Sequence, residues 1–132
     1  MSEFEKYIGI PWAAGASGPD EFDCMSFVRE IQANHFNVDM PAITIPDYDD
    51  IRGLVGLMSG HAENQHWSPV TAPQHGDVVL VRSPMHFGVW IDVDGGGVIH
   101  CVKGAGVVWT KDQSWPSSGF GRKQYLRHRS KA

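Results

Sequence analysis

The spacing of apolar positions changes part-way along this chain. Phe4, Tyr7 and Ile8 recur at helical intervals, and Ser2 with Glu5 has the spacing of a capping box, which predicts a short N-terminal helix. Glycine and proline then punctuate "GIPWAAGASGPDEFD", which reads as a shaped loop. From Asp23, a residue type that caps helices, the set Cys24, Phe27, Val28 and Ile31 falls on one helical face. Cys24 lies in the first turn, and the end is expected near residues 35–37. Residues 38–75 carry no sustained period. A short helix is expected to start near Asp47, and "ENQHWSPVTAPQHG" reads as surface connection. After Gly76 the texture becomes strand-like. "DVVLVR", "HFGVWIDV", "GVIHCVKG", "GVVWT" and "KQYLRH" are short, rich in branched and aromatic residues, and separated by turn formers. The expectation is a single α+β domain over residues 1–132, a central antiparallel sheet with helices gathered at its front.

Composition narrows the function classes. With 132 residues, 42% of them hydrophobic and 20% charged, the chain is globular in type and long enough for a real core. A net charge of −4 argues against a general nucleic-acid binder. The basic end, "GRKQYLRHRSKA", reads as a solvated terminus rather than a phosphate-binding tail. The opening residues lack a basic segment followed by an apolar one, and no run approaches membrane-spanning length. A soluble chain made in the cytoplasm, without a signal peptide or membrane span, is therefore expected. The two cysteines, Cys24 and Cys101, are far apart in sequence and make no disulfide scaffold.

Cys24 is the first candidate for chemistry. Cysteine attacks as its thiolate, and the unpaired N–H groups of a first helical turn stabilise that charge and could hold an oxyanion. A buried, inert cysteine fits the same position, and the helix start alone does not separate the two. A nucleophile also needs a base and a group to orient it. Of seven histidines, His35, His61, His66, His75 and His128 lie in connections or near element ends and need no special role. His86 opens a strand after "RSPM", and His100 lies in the next strand beyond the turn "DVDGGG". A hairpin there places both imidazoles near one end of the sheet if register and facing agree.

Zinc competes for the same atoms. Cys24, His86, His100 and Cys101 include the right ligand types, yet the spacing matches no CxxC, HExxH or finger pattern. His100 and Cys101 are neighbours on one strand, so their side chains point to opposite faces and Cys101 turns to the core. No cofactor and no metal are expected. Asp92 and Asp94 read as a polar hairpin turn, and the five tryptophans are too scattered for a stacking platform.

The ordered set "GIPWAAGASGPDEFDCMSFVREI", "HGDVVLVR", "HFGVWID" and "GVIHCV" resembles the NlpC/P60 family of papain-like cysteine peptidases over about residues 5–125. Asp23-Cys24 matches the family's Asp-Cys, Gly76-Asp77 its Gly-Asp step, His86-Phe87-Gly88 its His-x-Gly strand, and His100 its third polar position. The resemblance implies that Cys24 is the nucleophile, His86 the general base and later acid, and His100 the group that orients His86. It also implies peptidoglycan or muropeptide as substrate, often at the bond between γ-D-glutamate and a diamino acid. Two positions depart from the pattern. Met25 stands where a serine usually follows the cysteine, and Trp12 follows Gly9-Ile10-Pro11 where the family often has tyrosine. These departures support one alternative, a non-catalytic tail or wall-binding component; a second is a related deamidase or acyltransferase, whose acyl intermediate is intercepted by an amine or formed from a glutamine side chain. The compact form is similar to small hydrolases of phage tails and contractile machines. That setting implies tail proteins as partners, and a virion, periplasmic or cell-wall location.

Overall fold

A computed structural model describes residues 2–40, 67–82 and 85–131. The helix expected near Asp47, His61, His66 and the Ser83-Pro84 turn lie outside the described residues. A one-turn helix, α1 (Ser2–Glu5), leads through the shaped loop to α2 (Cys24–His35). Six strands follow: β1 (Trp67–Val70), β2 (Val78–Arg82), β3 (Met85–Ile91), β4 (Gly97–Val102), β5 (Gly106–Lys111) and β6 (Lys123–His128). They form one antiparallel sheet in the order β1-β6-β2-β3-β4-β5. This is the expected α+β architecture with a central antiparallel sheet.

Local chemistry explains where α2 begins and ends. The Asp23 carboxylate accepts the Ser26 N–H at 2.7 Å, while the Ser26 hydroxyl accepts the Asp23 N–H at 3.1 Å, a reciprocal capping box. The Ser26 hydroxyl also donates to the Ala16 carbonyl at 2.5 Å, fastening the glycine-rich loop to the helix start. At the other end Phe36 caps the helix and Asn37 takes a φ of 57°, within the expected stop. Phe27, Val28 and Ile31 are fully buried against the sheet. On the N-terminal segment Phe4 and Tyr7 are buried as expected, but Ile8 is 44% exposed, because the chain leaves the helix at Glu5 and turns away before reaching it.

The stretch read as surface connection before Gly76 contains a strand. Trp67–Val70 pairs with β6, and Trp67 is buried. Pro69 hid it, but β1 is an edge strand, where a missing N–H costs no ladder bond. The Gly76-Asp77 step is structural: the buried Asp77 carboxylate accepts from Arg127 Nε at 3.0 Å and Nη2 at 2.8 Å, and from the Gln74 N–H at 2.8 Å. Gln32 on α2 donates to the Gly76 carbonyl at 2.8 Å, tying the helix to the same corner.

Alternation along the strands separates two cores. Leu80, Phe87, Val89, Ile99 and Leu126 pack with α2 in the larger one. Val79, Val81, Trp90 and Val98 point the other way and meet Trp115, which a 3-10 helix (Asp112–Ser117) lays over them.

Candidate active site

Cys24 is the first residue of α2 and is partly buried against the larger core. The Phe87 N–H faces its sulfur, as do the N–H groups of Cys24 and Met25. Those three donors favour the thiolate, yet burial outweighs them and the Asp23 charge adds to it, so the Cys24 pKa is raised. The first-turn position alone predicted the opposite direction. The helix-start effect is present, but desolvation by the packed loop and strand is larger.

His86 and His100 are both buried, and the register brings them together. The β3–β4 ladder closes at Ile91 opposite Gly97, with Val89 opposite Ile99. Residues 86, 88 and 100 consequently share one face. Gly88 makes the approach possible: a Cβ there would meet Val98 Cγ1 at 2.5 Å and His100 Cβ at 3.1 Å. His86 Nε2 lies 2.8 Å from His100 Nδ1. Since Nε2 is committed to His100, Nδ1 is the His86 nitrogen left for a reacting partner. Phe87, the residue after His86, carries the N–H that faces Cys24, so the sulfur abuts the start of β3.

Three further residues, unmarked by any local motif, complete the surroundings. His100 Nε2 lies 3.0 Å from the Thr110 hydroxyl on β5. Phe120 stacks on His86 with centroids 4.4 Å apart and planes at 15°, and Trp115 lies 5.5 Å from the His100 ring. Burial lowers the His86 pKa to about 4 and the His100 pKa to about 3, where the neighbouring His86 contributes as well. At neutral pH the site therefore holds a neutral thiol and two neutral imidazoles.

The remaining candidates serve structure. Cys101 lies in the larger core, its Sγ 3.4 Å from the Phe22 carbonyl, with a pKa pushed up to about 12 by burial. His100 faces the other side, so the two neighbours do not share a ligand site. Both cysteines are free thiols. Among the described residues no cluster of three or more His, Cys, Asp or Glu could hold a metal ion, and no helix is long and apolar enough to cross a membrane. His35 meets the Tyr7 hydroxyl at 3.0 Å, and His75 Nδ1 accepts the Asp92 N–H at 2.9 Å. Met25 is buried in the core, which explains how a large residue is accommodated after the cysteine. Trp12 is partly buried beside Phe22, with the Lys103 ammonium 5.6 Å from its ring centre.

The sequence profile of the NlpC/P60 family matches residues 9–130, which takes in both α2 and the whole sheet. The chain belongs to the NlpC/P60 family. Among solved structures, this NlpC/P60 chain is similar to the NlpC/p60 domain of the peptidoglycan hydrolase SagA, with a TM-score of 0.61 and 23% identity, covering 94% of this chain and 92% of that one. At that identity the likeness speaks for the fold alone. No curated protein matches the chain.

Proposed function

We propose that this NlpC/P60 protein is a cysteine hydrolase that cleaves an amide bond in peptidoglycan stem peptides, the γ-D-glutamyl–diamino acid bond being the first to test. The observation that carries this reading is the convergence at one end of the sheet: a helix-start cysteine beside the N–H that follows His86, and a His86–His100 contact of 2.8 Å. Family membership and a structural relative named as a peptidoglycan hydrolase support the choice of substrate.

With thiol and imidazole both neutral at rest, proton transfer accompanies attack. His86 Nδ1 takes the thiol proton as Cys24 Sγ bonds to the amide carbon, and the Cys24 N–H helps hold the oxyanion. The imidazolium then protonates the departing nitrogen as the C–N bond breaks, leaving a thioester. Water attacks that thioester, His86 takes its proton, and the C–S bond breaks to return the thiol and a carboxylic acid. Every atom in the cycle comes from substrate, water, Cys24 or His86.

Digestion of purified peptidoglycan with wild type and Cys24→Ala, read by mass spectrometry, tests the reading. New stem-peptide cleavage is expected with wild type alone. Full cleavage by Cys24→Ala would remove Cys24 as nucleophile. Binding without cleavage across several wall chemistries would instead favour a wall-binding component.

A further inference from the structure

His100 is held from both sides. Its Nδ1 lies 2.8 Å from His86 Nε2, and its Nε2 lies 3.0 Å from Thr110 Oγ1. Thr110 is opposite Val98 in the β4–β5 ladder, and His100 is opposite Val108, so Thr110 is the diagonal neighbour of His100 on the same face. The His100 ring is buried, so neither of its nitrogens can turn to bulk water instead.

A neutral imidazole has one N–H and one lone pair, which leaves two proton orders along the chain of contacts. In one order, His100 Nε2–H donates to the Thr110 oxygen, His100 Nδ1 accepts from His86 Nε2–H, and His86 Nδ1 carries a lone pair. In the other, the Thr110 hydroxyl donates to His100 Nε2, His100 Nδ1–H donates to His86 Nε2, and His86 Nδ1 bears a proton. Only the first order lets His86 act as a base. It is also the only order compatible with an imidazolium at His86: that ring donates from both nitrogens, so His100 Nδ1 must accept, and its own proton must sit on Nε2.

We propose that Thr110 is a positioning residue of this site, its hydroxyl oxygen supplying the acceptor that the buried His100 Nε2–H needs in the order that leaves a lone pair on His86 Nδ1. The inference rests on the reading of His86 as the base. It adds a fourth member to the arrangement, one that touches no reacting atom and works through His100. The hydroxyl is the group that matters. Thr110→Val keeps the branched shape and strand preference while removing the acceptor, and leaves a buried N–H without a partner in the productive order.

Nitrogen-15 NMR of the ring nitrogens reads this directly, because protonated and unprotonated imidazole nitrogens have distinct shifts. In wild type at neutral pH, protons are expected on Nε2 of both His86 and His100. In Thr110→Val the His100 proton is expected to move to Nδ1, and kcat/KM on purified peptidoglycan to fall by about tenfold, the worth of one buried hydrogen bond. Thr110→Ser, which keeps the hydroxyl, should restore both readings. A proton on His100 Nδ1 in wild type would overturn the proposal without any variant. So would a Thr110→Val protein with unchanged ring protonation. The NMR readings are independent of turnover: if Cys24→Ala cleaves as well as wild type, the hydrolase reading fails while the role of Thr110 in setting the tautomer is still decided.

Discussion

On one face of the sheet, Leu80, Phe87, Val89 and Ile99 are buried under Phe27, Val28 and Ile31 of α2; on the other, Val79, Val81, Trp90 and Val98 are covered by Trp115 with Phe120 and Tyr125 beside it. The first face is aliphatic and aromatic packing closed by a twelve-residue helix. The second mixes a small apolar patch with two buried imidazoles, a hydroxyl and the Trp90 Nε1, a buried donor without a partner among the described residues. The same strands therefore carry a stabilising face and a chemical one. Alternation along β3 makes the division sharp, with Phe87 and Val89 on one side and His86 and Trp90 on the other. Cys24 belongs to the helical face by packing and meets the chemical face at the Phe87 N–H. The polar groups are tolerated because a larger core elsewhere carries the fold.

If that division of labour is right, the largest loss of stability comes from the helical face. Phe27 is fully buried and contacts both Tyr7 and Phe22 edge-on, at 5.6 Å in each case. Phe27→Ala is expected to cost about 3–5 kcal/mol, a large share of the total for a domain of this size. Denaturant unfolding followed by circular dichroism measures it. A cost under about 1 kcal/mol would mean that α2 is not what holds the sheet together.

The chemical face makes its own mark through pH. In the unfolded chain both histidines take protons near pH 6.5, whereas in the folded chain burial holds His86 at about 4 and His100 at about 3. Between these values the unfolded state binds more protons, so acid favours unfolding. The stabilising contribution is fully present above pH 6.5 and is lost as pH falls through about 4 for His86 and about 3 for His100. The loss is about 1.4 kcal/mol per pH unit for each histidine that titrates on unfolding. Stability measured from pH 7 to pH 4 should show this slope in wild type and a shallower one in a His86→Gln, His100→Asn variant. Equal slopes would mean that carboxylates elsewhere govern the acid response. If His86 is the base of the proposed hydrolase, it must be neutral to accept the thiol proton, and the acid limb of the activity profile is then expected near pH 4 rather than near 6.5.

What could be read in the residues themselves tracks how local each feature is. Asp23, the apolar face of α2 and its stop near Asn37 depend on neighbours within a few positions, and they appear where the pattern puts them. The β3–β4 hairpin was legible for the same reason, since "DVDGGG" separates two apolar runs. Its consequence was not: whether His86 meets His100 depends on a register closed at Ile91 and Gly97, and on the missing side chain at Gly88. β1 escaped because its partner is β6, at the far end of the chain, and because Pro69 is tolerated only at an edge. The direction of the Cys24 pKa shift was likewise out of reach. The favourable N–H groups are local, but the desolvation that outweighs them is assembled from the loop, α2 and β3. Thr110 carries no signal of its own. Only the β4–β5 register, with Val98 opposite Thr110, shows that it shares a face with His100.

Phe120 separates the two faces most finely, because it lies over the site and outside the main core. Its position is set by short-range bonds: Trp115 Nε1 donates to the Gly121 carbonyl at 2.9 Å, and the Phe120 N–H donates to the Ser118 hydroxyl at 3.2 Å. Its ring stacks on His86, also meets His100 with centroids 5.6 Å apart, and so keeps water from both imidazoles. Phe120→Ala should therefore cost only about 1 kcal/mol of stability, the order of an aromatic contact at a partly exposed site. Its effect on chemistry should be larger than that figure implies. Water admitted to the ring stabilises the imidazolium, so the His86 pKa should climb from about 4 toward 6.5, and the acid limb of activity should move up with it. NMR titration of His86 in wild type, Phe120→Ala and Phe27→Ala makes the contrast direct. Phe120→Ala should move the titration with little loss of stability, and Phe27→Ala should lose stability with little movement of the titration. An unmoved His86 in Phe120→Ala would assign its burial to the sheet beneath it and take the covering role away from Phe120.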